Sequence, residues 1–203
     1  GFRPAFNVQL ATDVDSRVVV GVDVTNVGAD TGQMEPMLEP IERRTGKKPA
    51  EHLVDGGFAK LESIERAAAA GVTVYAPVPA PKAQGVDRYQ PKAGDGPGVA
   101  AWRVRMGTPE AREIYKQRAA TAETTNADLR AWRGLDRFRV RGTSKVLSIA
   151  LWAAITCNVL RWIGAEAIVG CPAGGSRGGA FSPLFSTGSP ASGITSSKSR
   201  ALT

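Results

Sequence analysis

The sequence has few of the residues that most often reveal a catalytic or metal-binding site. Its 203 residues contain two cysteines, Cys157 and Cys171, and a single histidine, His52. Two cysteines at this spacing give neither a disulfide framework nor a zinc site, and no Ser-His-Asp or Cys-His set is readable. Cys157 lies in an apolar run, which predicts a buried thiol and fits a reducing, cytoplasmic setting. We expect His52 to be structural or exposed rather than catalytic.

Long apolar runs are also lacking, whereas positive charge is in excess. The most apolar stretch, 146–160, is about 15 residues long, which is too short for a membrane span and predicts a buried helix; we expect no membrane partner. The formal net charge is +7, and residues 99–145 alone hold 11 Lys or Arg against 5 Asp or Glu. Such a segment favours a polyanionic partner such as nucleic acid, although basic surfaces without that role are common.

Strand and helix patterns alternate along the first 162 residues. Alternating apolar residues predict an antiparallel hairpin of strands 6–12 and 17–25, joined by a turn at 13–16. Short strands at 51–55 and 72–78 follow, and helices are predicted over 32–46 (with a kink or late start at Pro40), 59–70, 108–132 and 144–162. This order predicts an α/β domain with a mixed sheet, residues 1–163. The Gly/Ser/Pro-rich residues 164–203 predict a disordered tail.

Asp55 is the first candidate site residue. It ends the apolar stretch His-Leu-Val-Asp and is followed by Gly56 and Gly57. Ligands of open α/β folds bind at the carboxyl ends of strands, and glycines beside a carboxylate leave room for a metal or a backbone. The alternative is an aspartate that caps a turn or helix.

A second candidate is a stripe on the helix predicted over 108–132. Tyr115, Arg118, Glu123 and Arg130 fall within one arc of about 140° at roughly 100° per residue. One acid surrounded by cations suits phosphodiester cleavage, because the cations hold phosphates and the acid holds Mg²⁺. A solvated face with ion pairs inside the helix would carry the same residue types.

Several blocks resemble the C-terminal catalytic half of bacterial insertion-sequence transposases with a DDE domain. They are LVDGGF, VTVYAPVPAPK, RMGTPEAREIYKQRAATAETTNADLR and RGTSKVLSIALWAAITCNVLRW. The family's Tyr-x2-Arg-x3-Glu-x6-Lys signature appears here as Tyr115-x2-Arg118-x4-Glu123-x6-Arg130, with one longer spacer and Arg in place of Lys.

The resemblance implies an RNase H-like fold, a mixed sheet flanked by helices, whose three carboxylates hold two Mg²⁺ or Mn²⁺ ions. It implies that Asp55 and Glu123 are catalytic metal ligands. By the same resemblance, Tyr115, Arg118 and Arg130 bind DNA, and Gly56 and Gly57 support the site. The implied activity is DNA transposition, by cleavage and strand transfer on transposon ends and target DNA. The implied setting is the bacterial cytoplasm, with the protein on the nucleoid when bound to DNA and a homodimer as one arrangement.

The first carboxylate of the family's three has no counterpart in a matching motif. We expect the chain to be a fragment that lacks the first strand of the sheet, and therefore to be inactive alone. Two alternatives remain open: a non-catalytic DNA-binding remnant, and another RNase H-like nuclease that hydrolyses DNA without joining strands.

Overall fold

The computed structural model describes residues 6–81, 85–169 and 200–202. Over these residues the chain forms strands β1 to β5 and helices α1 to α6. The strands are Asn7–Asp13, Val19–Thr25, Glu51–Leu53, Thr73–Tyr75 and Arg200–Leu202. The helices are Leu38–Thr45, Leu61–Ala69, Pro97–Met106, Pro109–Arg118, Thr124–Trp132 and Thr143–Val169. A short 3₁₀ turn covers Gly56–Phe58, and a π turn, Ala119–Glu123, joins α4 to α5.

The predicted hairpin is present. β1 and β2 pair antiparallel, with one bulge between Ala11 and Thr12. Asp13 closes the connecting turn, because its Oδ2 accepts hydrogen bonds from the backbone N–H of Ser16 at 2.9 Å and from the Ser16 hydroxyl at 2.6 Å. This aspartate is therefore engaged in turn formation.

The sheet is mixed, with five strands in the order β2-β1-β5-β3-β4. β5 runs antiparallel to β1 and parallel to β3, and β3 runs parallel to β4. The expectation of a sheet short of one strand is not confirmed, because residues 200–202 lie between the hairpin and the parallel pair. Within the predicted tail, 164–203, α6 continues to Val169 and residues 200–202 form β5. Residues 170–199 of the predicted tail lie outside the described residues.

The parallel strands pack with α2 and α3 around the largest apolar cluster. Trp102 is its largest buried side chain, at 1% exposed, and its indole N–H donates to the Ala76 carbonyl at 3.1 Å. Helix α3 was not predicted, since no helix was expected between residues 70 and 108. Its N-terminus receives a cap from α2, where the Glu65 carboxylate accepts the backbone N–H groups of Gly98 and Val99 at 3.1 and 2.9 Å. An acidic group at this end of a helix is stabilising.

The hairpin is covered on both faces. On one face, Ala11 packs with Met37 and Ile41 of the α1 region. Gly21 permits this approach, because a Cβ there would lie 2.7 Å from the Met37 Sδ. On the other face, alternate residues of both strands pack against α5 and α6. Asn158 of α6 fixes the contact by accepting from the Val19 N–H at 2.8 Å and donating to the Val19 carbonyl at 2.9 Å.

Helix α6 is longer than the sequence predicted. The stretch Thr143–Gly164 is long and apolar enough to cross a membrane by length and composition, so the prediction that this run is too short for a span is wrong. Its inner face lies on the sheet, with Val146, Ala150 and Cys157 buried. Its outer face exposes large apolar side chains, among them Trp152 and Trp162.

Candidate active site

Asp55 lies two residues beyond the end of β3, at the edge of the sheet where the parallel strands end. Its backbone is extended, and its Oδ1 accepts the N–H of Gly56 at 2.8 Å, so it caps the 3₁₀ turn that follows. Asp55 therefore does cap a turn, which was the alternative to a metal-binding role. The side chain is still 57% exposed, and its second oxygen points to a different element.

That second oxygen pairs with a cation far away in the sequence. Nη2 of Arg118, at the end of α4, lies 3.5 Å from Oδ2 of Asp55. Tyr115 is one turn earlier on the same helix and packs against the main core. Burial raises the pKa of the Tyr115 phenol above its usual value, with a smaller lowering from Arg118 and a raising contribution from Asp55. The structure thus brings together three of the predicted site residues.

The predicted helix 108–132 is present but is not uniformly α-helical. Thr108 caps it, accepting the N–H of Ala111 at 3.2 Å. The π turn, Ala119–Glu123, interrupts it directly after Arg118. A π turn closes with i→i+5 bonds and so takes five residues for roughly one turn, where an α-helix takes about four.

This π turn coincides with the one-residue longer spacer in the signature. Arg118 and Glu123 are five residues apart, and in a continuous α-helix they would differ in direction by about 140°. With five residues in one wider turn, Glu123 comes back close to the direction of Arg118. The extra residue is therefore absorbed, and Glu123 follows Arg118 by one turn of helix.

Glu123 and Arg130 are both exposed. The π turn that ends at Glu123 contacts β1, while Arg130 lies in the last turn of α5. Among residues 6–81, 85–169 and 200–202, no group of three or more His, Cys, Asp and Glu side chains is arranged to hold a metal ion. The candidate carboxylates of the described chain are therefore not part of a complete three-ligand cluster.

The two glycines after Asp55 are not required by the backbone or by crowding. A Cβ at Gly56 would lie 3.8 Å from Pro77, and one at Gly57 would lie 3.9 Å from Asp30, both ordinary contacts. Asp30 itself is a neighbour that sequence patterns did not indicate. Its Oδ1 accepts from the Asn7 side-chain amide at 2.7 Å, and the next residue donates its hydroxyl to the Gly57 carbonyl at 3.2 Å. A loop after β2 is thereby held against the Asp55 turn.

The basic segment, residues 99–145, contains both buried and exposed cationic side chains. Arg103 is 5% exposed and pairs with Asp95 at 2.7 Å, and Arg105 lies over the Tyr75 ring. Burial lowers the pKa of Arg105. Among residues 99–145, the exposed cations that follow Glu123 are Arg130, Arg137, Arg139, Arg141 and Lys145.

His52 is fully buried in β3. Burial alone lowers its pKa from 6.5 to about 4, so the imidazole is neutral near pH 7. This agrees with the prediction of a structural histidine. Cys157 is buried as predicted and is a free thiol.

The sheet is mixed and has helices on both faces, and a carboxylate and a guanidinium meet where one of its strands ends. These features describe an α/β domain with a candidate active site at the end of a strand. The family model described as "Transposase DDE domain" matches residues 1–159. The chain therefore belongs to the DDE-domain transposases, a family of DNA-transposition enzymes that generally use divalent metal ions. No match is found among curated proteins or among solved structures.

Proposed function

We propose that this domain binds the phosphate backbone of DNA and carries Asp55 and Glu123 as two carboxylates of a metal-dependent site for DNA cleavage and strand transfer. In this proposal the sheet is RNase H-like. Its support is the strand order, in which an antiparallel hairpin and a parallel pair flank one central strand. The substrate is the DNA of transposon ends and target in the bacterial cytoplasm. A homodimer on paired ends stays a prediction.

One observation carries the proposal: the Arg118–Asp55 contact. It joins the Asp55 turn to the helix of the Tyr115-Arg118-Glu123-Arg130 signature. Part of the Arg118 side chain stays accessible beside this contact, since it is 19% exposed. A guanidinium held beside a carboxylate, and still partly accessible, suits a phosphate whose metal is bound by that carboxylate.

The donor types fit a divalent metal, but the number of donors does not. Asp and Glu oxygens are the ligands that Mg²⁺ and Mn²⁺ prefer, and a two-metal site would activate the attacking oxygen and stabilise the leaving one. The described residues supply no third carboxylate in a cluster. We therefore expect this chain alone to bind DNA without nicking it.

The same finding favours a second candidate function, a DNA-binding domain without metal chemistry. The two candidates differ in their response to metal. If Asp55 and Glu123 retain a metal-binding role, duplex DNA should bind more tightly with Mn²⁺ than with EDTA, and Asp55→Asn or Glu123→Gln should abolish that gain. Glu113→Gln is the matched control, because Glu113 is an exposed acid on α4 that pairs only with Lys116 in the described structure.

The DNA surface is tested by salt-dependent binding to duplexes of unrelated sequence. Arg130→Gln should weaken binding to all of them equally and reduce the slope of log K against log salt by about 1. Arg66→Gln is the control, since Arg66 is an exposed arginine of α2 that pairs with Glu35. If Arg130→Gln and Arg66→Gln lose DNA affinity equally, a DNA surface around α5 is contradicted. If Mn²⁺ changes DNA binding by Asp55→Asn and Glu123→Gln as it does in the parent chain, the non-catalytic DNA-binding function remains.

A further inference from the structure

The outer face of α6 is a strip of large apolar side chains. At roughly 100° per residue its members fall within an arc of about 100°, and each is between 45% and 70% exposed. They are Trp152, Ile155, Val159, Trp162 and Ile163. Within the described part of the chain, the opposite face of α6 packs on β2 and α5. We call these five residues the α6 strip.

The spacing along the strip is that of a helix-pairing seam. Trp152, Ile155, Val159 and Trp162 follow one another at intervals of three, four and three residues. Apolar residues with this average repeat of about 3.5 stay in line over successive turns and interdigitate with a facing helix. The strip therefore suits a second helix as its partner.

The strip is uncharged, which sets it apart from a helix that lies on a membrane surface. Such a helix carries many Lys and Arg residues on its polar face. Between residues 146 and 164, α6 has one charged residue, Arg161, and its Nη2 donates to the Thr125 hydroxyl of α5 at 3.0 Å. The Thr156 hydroxyl beside the strip is also satisfied, since it donates to the Trp152 carbonyl at 2.9 Å. A protein partner fits this surface better than anionic lipid.

The area of the strip matches one half of a symmetric interface. At the usual side-chain areas, the five residues expose on the order of 550 Å². A standard interface buries about 800 Å² on each partner, of which about 65% is apolar in homodimers, so each copy contributes roughly 520 Å² of apolar surface. Exposed apolar patches of this size mark interaction sites.

We propose that two copies of this chain pair through the α6 strip, as antiparallel helices related by a two-fold axis. The strip is then self-complementary, because both copies contribute the same residues. Charge determines the direction. Parallel helices would bring together the exposed cations that precede the strip in both copies, Arg137, Arg139, Arg141 and Lys145, and like charges oppose association.

The antiparallel pair separates these basic ends. With the middle of the strip, residue 157, level with the axis, the two Lys145 residues lie about 36 Å apart along the helices, which is well beyond the screening length of about 8 Å. The pair gives a surface to the homodimer of the proposed function and rests on that function to this extent, but it needs neither DNA nor metal to form. It places the two basic ends where each can hold a separate duplex.

Sedimentation equilibrium of the full chain tests the pairing without DNA or metal. The chain should associate reversibly from 21.3 kDa to twice that mass over about a hundredfold range of concentration. Ile155→Glu should weaken association about a hundredfold or more, because each copy then places an unpaired carboxylate in the apolar interface. Val104→Glu is the matched control and should associate like the parent chain, since Val104 of α3 is 53% exposed against 49% for Ile155.

Disulfide formation tests the direction of the helices. In the antiparallel pair, Ile155 of one copy faces Val159 of the other. In a Cys171→Ser background, a mixture of Ile155→Cys and Val159→Cys should therefore form the mixed disulfide in preference to either symmetric one. Cys157 does not compete, because it is buried.

Several results would overturn the pairing. A monomer at every concentration, or an equal loss of association in Val104→Glu, would exclude the α6 strip as the interface. A disulfide that Ile155→Cys forms efficiently with itself would exclude the antiparallel direction. A monomer that binds phosphatidylglycerol vesicles, and loses that binding in Ile155→Glu, would make the strip a lipid-binding surface instead. A dimer that persists while Mn²⁺ leaves DNA binding by the parent chain unchanged would support the pairing and refute only the proposed metal site.

Discussion

Removing one residue from the π turn should be far less costly than removing one from an ordinary turn of the same helix. Deletion of Ala120, an exposed residue of the turn Ala119–Glu123, converts five residues per turn to four. After the deletion, Arg118 and Glu123 are four positions apart, and their side chains keep nearly the same direction relative to each other. Every side chain of α5 should retain its present environment, because an α-helix replaces the wider turn without a change of phase.

The magnitude follows from what α5 buries. Leu129 is fully buried and Thr125 is 1% exposed. Deletion of Ala127, which is exposed on α5, must rotate one of these side chains by about 100°. Loss of a buried leucine costs about 2–5 kcal/mol. We expect the Ala120 deletion to cost less than about 1 kcal/mol, since it adds no cavity and removes no buried group.

Urea unfolding followed by far-UV circular dichroism measures both deletions on one scale. The expected result is a clear gap between them, with the Ala120 deletion close to the parent chain. Equal destabilisation would refute the idea that the π turn absorbs an inserted residue, and would mean that its wider geometry is needed for packing against β1.

Three further predictions concern stability. The pKa of His52 is about 4 in the folded chain against 6.5 in the unfolded chain, so the unfolded chain binds the proton first as the pH falls. The free energy of unfolding should therefore fall by about 2 kcal/mol between pH 7.5 and pH 5. His52→Gln should flatten this dependence on pH. Asp95→Asn should cost about 1–3 kcal/mol in urea unfolding, because Arg103, whose side chain is 6% exposed, keeps only a neutral acceptor in place of its charge partner. Asn158→Ala should cost about 1–3 kcal/mol, because both backbone groups of Val19 lose a partner.

Matched variants separate these effects from general damage. Asp87→Asn changes an exposed acid in the same loop region and should be nearly neutral, and Thr156→Ala removes a hydroxyl that bonds only within α6. A pH slope that persists in His52→Gln would assign the acid lability to other groups. If Thr156→Ala lowers the free energy of unfolding as much as Asn158→Ala does, the hydrogen bonds from Asn158 to β2 contribute no specific stability.

The hairpin, the Thr108 cap and the position of Asp55 at a strand end were predictable because local patterns determine them. Period-two alternation set the strands, and Thr-Pro-Glu is a helix start whose signals lie within four residues. Of the predicted site residues, Arg118 lies in contact with Asp55.

What could not be predicted depends on contacts between distant residues. α3 begins in a Gly-Pro-Gly sequence that resembles a loop, and its cap comes from Glu65 of α2. A Cβ at Gly98 would lie 2.6 Å from the Ala68 Cβ, so this glycine serves helix packing rather than a turn. The central strand, β5, comes from a segment whose composition indicates disorder, because only its pairing partners make it a strand.

The fold depends little on three residues of the candidate site, Asp55, Gly56 and Arg118. An ion pair with one partner 57% exposed, as Asp55 is with Arg118, contributes about 0–1 kcal/mol, and alanine at Gly56 meets only ordinary contacts. By contrast, the side chains of Arg103 and Asp95 are 6% and 7% exposed and form an ion pair, and His52 is fully buried. Variants at Asp55 and Gly56 can therefore be tested for function without a large change in the stability of the domain. Asp55→Asn and Gly56→Ala should leave the urea midpoint nearly unchanged, so any loss of metal-dependent DNA binding in Asp55→Asn would report on the site itself.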